Sequence, residues 1–185
     1  FLIYLFLISA EDFVLFSRGW TVLVCYILVI LAFKFFFVYI YLQSGLIVTV
    51  FRAGLLPGAC FGERMRTRSK TTLVFADGLI IVLMGTLIVV LKQIGYDLPA
   101  TFFLVFGFVI SLICGFQFPV ALWLRGGDAP AVTRAFSADL IGAACGTLVT
   151  NVVLIPYFVI IWAAAGLIGL KLWSLIVIYT SYEEN

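Results

Sequence analysis

The segment "AFSADLIGAACGTLVTNVVLIP", residues 135–156, decides the fold. A helix needs about 20 apolar residues to cross the hydrocarbon core of a bilayer, and this stretch is long enough and apolar enough to do so. Two features are unusual for a segment surrounded by lipid. Asp139 sits near its start, and Ala138, Gly142, Gly146 and Thr150 recur at every fourth position. Residues four apart lie on one helix face, so this ladder lets a neighbouring backbone approach closely. The carboxylate is costly in hydrocarbon and is expected to face the interior of a bundle.

The whole chain repeats the pattern. Of its 185 residues, 65% are hydrophobic and 11% charged, and mean hydropathy is +1.26. That composition belongs to an all-α, polytopic membrane protein. Histidine is absent, which removes the commonest haem and zinc ligand and the usual general base at neutral pH. The cysteines, Cys25, Cys60, Cys114 and Cys145, are widely spaced in apolar segments and are expected to serve as small packing residues.

Six spans follow from the apolar runs. The chain opens with "FLIYLFLISA" and no methionine, so residues 1–9 are expected to end a preceding transmembrane helix of a longer native chain. A bundle over 10–180 then comprises spans at about 20–41, 46–62, 71–91, 100–124, 135–156 and 160–179, with 181–185 a short polar cytoplasmic tail. A turn is expected at "QSG" (43–45) and a loop at "RGGDAPAVTR" (125–134), with Gly126, Gly127 and Pro130 as breakers. The loop "GERMRTRSK" is rich in Arg64, Arg66, Arg68 and Lys70, and Arg125 and Arg134 flank another loop. The positive-inside rule puts 63–70, 125–134 and the C-terminus in the cytoplasm, and a bacterial inner membrane is the expected location.

The second span carries a tandem glycine register, Gly54, Gly58 and Gly62, matching the ladder of Ala138, Gly142 and Gly146 in the fifth. Both are expected to pack helices. Intramembrane charges are Lys34, Arg52, Asp77, Asp139 and Lys171. Arg52 lies near the midplane, whereas Asp77 and Asp139 sit roughly 6–9 Å inside the cytoplasmic ends of their spans. Asp139 is therefore expected to reach Arg64 or Arg66 as a charge latch, and Asp77 to meet Arg52. Lys34 and Lys171 are expected to snorkel to the outer and inner interfaces. In "GFQFPVALWL" Pro119 frees a backbone carbonyl that Gln117 is placed to help satisfy.

Three motifs, "VFRAGLLPGACFGERM" (50–65), "GFQFPVALWL" (115–124) and the opening segment, resemble in order and spacing the transmembrane part of membrane-fused spermidine synthase-like proteins. The likeness covers about residues 44–180. It implies a helical bundle similar to half of a major facilitator transporter, which in that family precedes a soluble aminopropyltransferase-like domain. The glycine-rich second span with its basic loop also resembles the facilitator motif between its second and third helices. By that likeness Gly58, Gly62, Glu63, Arg64 and Asp139 form a cytoplasmic latch, although Pro57 interrupts the glycine face and the loop lacks the usual aspartate and second glycine.

No glycine-rich nucleotide loop or acidic pocket is present, so aminopropyl transfer is not expected. Nor is any other enzyme activity, since no nucleophile is paired with a base. The resemblance allows a non-catalytic membrane subunit or scaffold, including one in a cytochrome-based electron-transfer complex. The alternative is a transporter or half-transporter for a small polar or amine solute, with Arg52, Asp77 and Gln117 reaching a cavity. No metal or cofactor is expected, although 19 phenylalanines and 4 tryptophans offer walls for a lipid or quinone. The expected partners are the bilayer and other membrane-protein chains or further copies of this one, and not nucleic acid.

Overall fold

The computed structural model describes residues 10–36, 40–65, 70–93, 99–124, 129–154 and 160–183. Among them are six long helices and no strand: α1 (Ala10–Phe36), α2 (Ile40–Met65), α3 (Lys70–Gln93), α4 (Ala100–Leu124), α5 (Ala129–Val149) and α6 (Ile160–Glu183). A π-helical turn, Thr150–Leu154, continues α5. Five helices are long and apolar enough to cross a membrane, and the apolar stretch of α6, Trp162–Val177, is shorter. The expected preceding helix at 1–9 lies outside the described residues.

Helix bounds differ from the expected spans in three instructive places. α1 starts at Ala10 rather than near residue 20, because Phe13, Leu15 and Phe16 extend its buried face. α2 runs through the "QSG" expected to turn. There the Thr49 hydroxyl donates to the Gly45 carbonyl at 2.9 Å, one turn back along the helix. α5 starts at Ala129, so Pro130, expected to break the chain, occupies the first turn, where its missing N–H costs no helical bond.

α1 and α4 form the centre. Their spans are 56% buried, against 28–33% for those of α2, α3 and α5. They run antiparallel, and Val24, Cys25, Leu28 and Phe33 of α1 join Phe103, Ile110, Ile113 and Cys114 of α4 in the main core. α3 and α6 complete that core through Ile80, Met84, Leu87, Ala163, Ala164 and Leu167. Cys25 and Cys114 are packed there as expected, but Cys60 is exposed on α2.

Each central helix has a parallel companion held by glycines. A side chain at Gly54 would strike Ser111 and the Phe108 carbonyl, at Gly58 the Leu112 carbonyl, and at Gly62 the Phe116 carbonyl and the Pro119 ring, so α2 lies along α4 nearly backbone to backbone. Gly115 closes the same seam from the other side against Leu55. α5 lies on α1 in the same manner: Gly142 meets the Phe16 backbone, Gly146 meets Trp20, and Gly19 of α1 meets the Asp139 carbonyl. Ala138 is buried beside that seam, with Leu15 and Ala135.

Such contacts gain dispersion energy that lipid would not supply, because the chains approach closer than any larger residue permits. Gly58→Leu and Gly142→Leu are each expected to cost about 1–3 kcal/mol through overpacking, measured as a fall in thermal midpoint in detergent. Gly85→Ala is the control, since a Cβ there meets nothing within 4 Å; it is expected to hold or slightly raise the midpoint.

Candidate functional site: two interior ion pairs

α1, α3 and α5 begin at the same end of the bundle where α2, α4 and α6 finish. Counting from that end at 1.5 Å per residue puts Arg18, Asp77, Gln117, Asp139, Ser174 and Lys171 roughly 10–18 Å inside. They form one electrostatic layer, arranged around α4.

The first cluster centres on Asp77 of α3. Its Oδ1 accepts from the Lys171 ammonium of α6 at 2.5 Å and from Gln117 Nε2 of α4 at 2.8 Å. Its Oδ2 accepts from the Ser174 hydroxyl at 3.2 Å. Lys171 and Asp77 side chains are 1% and 3% exposed, so the pair is closed off from lipid and water. A buried charge left alone would cost several kcal/mol, and full hydrogen bonding of the carboxylate offsets that penalty. Gln117 Oε1 is buried without a hydrogen-bond partner.

The second cluster joins α1, α4 and α5. The Arg18 guanidinium donates from Nη1 to Asp139 Oδ1 at 2.6 Å and from Nε to the Cys114 carbonyl at 3.2 Å. Its Cζ lies over the Phe118 ring, 4.6 Å from the centroid, a cation–π contact open to arginine's delocalised charge. Phe118 meets Phe136 of α5 edge to face. One arginine thus fastens three helices.

These geometries correct the expected pairings. Asp139 pairs with Arg18, not with Arg64, which is exposed at the end of α2; Arg66 lies outside the described residues. Asp77 pairs with Lys171, not with Arg52, which is exposed on the outer face of α2. Lys171, expected to snorkel to an interface, is interior because a carboxylate meets it there. Gln117 donates to Asp77 instead of serving the backbone near Pro119, and α4 continues as helix through that proline. The side chain of Lys34 lies outside the described residues.

Arg18 and Ser174 were not singled out from the sequence. Placing the start of the first span near residue 20 left Arg18 outside the membrane count. The apolar run from Phe13 held the missing signal, since it puts Arg18 more than a turn inside. With Arg18 included, two interior cations balance two interior carboxylates.

Glu63 is exposed and borders a groove of about 340 Å³ between α2 and α4, lined also by Ala59, Phe118, Pro119, Leu122 and Trp123. Among the described residues no three His, Cys, Asp or Glu side chains gather to hold a metal ion. The layer's chemistry is cohesion: it ties α3 and α6 to one side of α4 and α1 and α5 to another. No family model, curated protein or solved structure matches this chain.

If the Asp77 cluster is an interdependent ion pair, Asp77→Asn alone is expected to destabilise by about 3–5 kcal/mol by stranding the Lys171 ammonium. The double variant Asp77→Asn/Lys171→Met is expected to recover much of that loss. A double-mutant cycle on thermal or denaturant unfolding checks this, and additive losses would show that the two side chains do not act as a pair.

Proposed function

We propose that this chain is a non-catalytic integral membrane subunit that works by packing against partner chains. The supporting observation is the difference between its outward faces. α3 and α6 present Phe75, Leu79, Val82, Val89, Trp162, Leu172, Trp173 and Ile176 outward, a surface suited to lipid. α2 also presents Leu46, Leu56 and Phe61 outward, but among them stand the charged side chains Arg52 and Glu63, which hydrocarbon does not favour.

All six helices cross the membrane in this proposal. α6 can do so despite Lys171 because Asp77 neutralises it within the bundle. The basic loops orient the end nearest the ion pairs toward the cytoplasm, in a bacterial inner membrane. The resemblance to the membrane part of spermidine synthase-like proteins supports a place in a cytochrome-based electron-transfer complex.

Crosslinking in native membranes, followed by native mass spectrometry from mild detergent, tests the proposal. A second polypeptide at fixed stoichiometry is expected. A protein found only as a monomer, with every crosslink internal, would sink it. A transporter is the second reading, favoured by the orphaned Gln117 oxygen beside a buried Lys171–Asp77 pair. It requires solute uptake into liposomes that is abolished in the stability-restored double variant Asp77→Asn/Lys171→Met.

A further inference from the structure

Arg52 is close to the midpoint of α2, a 26-residue helix, and thus roughly 20 Å from either helix end. Its side chain is exposed, and among the described residues no carboxylate pairs with it. Among the described side chains, the interior cations Arg18 and Lys171 each have an aspartate. Arginine cannot shed its charge, so this face needs an anion that the described residues do not supply.

The surroundings of Arg52 specify the occupant. Gly45, Thr49, Arg52, Leu56, Cys60 and Glu63 follow one another at intervals of three and four and form one exposed stripe. At its start Gly45 faces open space, and the Thr49 hydroxyl is already bonded to its own helix. That end is small and self-satisfied, as surfaces that receive another helix are. Lipid phosphates lie at the edges of a hydrocarbon core about 30 Å thick, far from a guanidinium at mid-depth. A helix-borne carboxylate can meet it at the same depth and accept two parallel hydrogen bonds. A second copy of this chain fits badly: a twofold axis along the membrane normal would set Arg52 against Arg52 at equal depth.

We infer that the outward face of α2 docks a transmembrane helix of a different polypeptide carrying an aspartate or glutamate at mid-membrane depth, paired with Arg52. This rests on the subunit proposal above and names the chemistry of the partner.

The test uses the tagged chain in its native membrane, with Cys60, exposed on the same stripe, as the crosslinking handle. The expected result is a Cys60 crosslink to one polypeptide whose adjoining helix holds an acidic residue. Arg52→Leu should reduce that crosslink about tenfold or more, as loss of one member of a desolvated charge pair does, and Arg52→Lys should retain part of it. Arg52→Glu combined with lysine in place of the partner's acidic residue should restore it. Folding of each variant is checked by its thermal midpoint, which an outward residue should leave unchanged.

Three results would overturn the inference while leaving a partner in place. The crosslink could survive Arg52→Leu, as for an arginine that merely snorkels. A Cys60–Cys60 dimer could form, making the occupant a second copy. The variant could lose anionic phospholipid rather than a polypeptide. A wild-type chain that crosslinks to nothing would instead remove the subunit proposal itself.

Discussion

A carboxylate sealed inside a helical bundle must find its counter-charge within the bundle, and the Asp77–Lys171 contact answers that requirement here. Three helices are fixed by it: α3 contributes the carboxylate, α6 the ammonium and the Ser174 hydroxyl, and α4 the Gln117 amide. With Arg18 and Asp139 on another side of α4, the interior layer carries two charges of each sign. Burial of such pairs is weak support for stability, since apolar residues of similar shape often do as well. Their value lies in register, because a one-turn slip of α6 along α3 would strand both charges.

The glycine seams act on the other helix pairs. Where Gly58 meets the Leu112 carbonyl and Gly142 meets the Phe16 backbone, close approach replaces charge as the adhesive. α5 uses both devices within one turn, since Asp139 offers its side chain to Arg18 and its backbone carbonyl to Gly19. Small residues hold α2 to α4, small residues and an ion pair hold α5 to α1, and apolar packing together with polar bonds holds α3 and α6 to the middle.

The helical class was legible because each apolar run is long, and the glycine positions were legible because a period of four survives in a one-dimensional string. Pairing of charges was not. Asp77 and Lys171 are 94 residues apart, and Arg18 and Asp139 are 121 apart, so their meeting depends on which helices become neighbours, not on any local pattern. Depth counted along single helices favoured Arg52 and Arg64 as partners, but reach along the membrane normal says nothing about direction around a helix axis. Local breakers misled in a similar way: "QSG" lies inside α2, and Pro130 is compatible with helix where the first turn needs no N–H.

The sequence separations of the two ion pairs also set a clock for biogenesis. A ribosome adding roughly 5–20 residues per second completes Asp77 on the order of ten seconds before Lys171 exists, and Arg18 waits longer for Asp139. Gln117 is only 40 residues from Asp77, so the amide is available well before the ammonium. The charged helices must therefore dwell in the membrane, or at the translocation machinery, with their opposite charges still unsynthesised. The Asp77 cluster closes electrically only when α6 arrives, which makes α6 the element that completes this ion-paired layer.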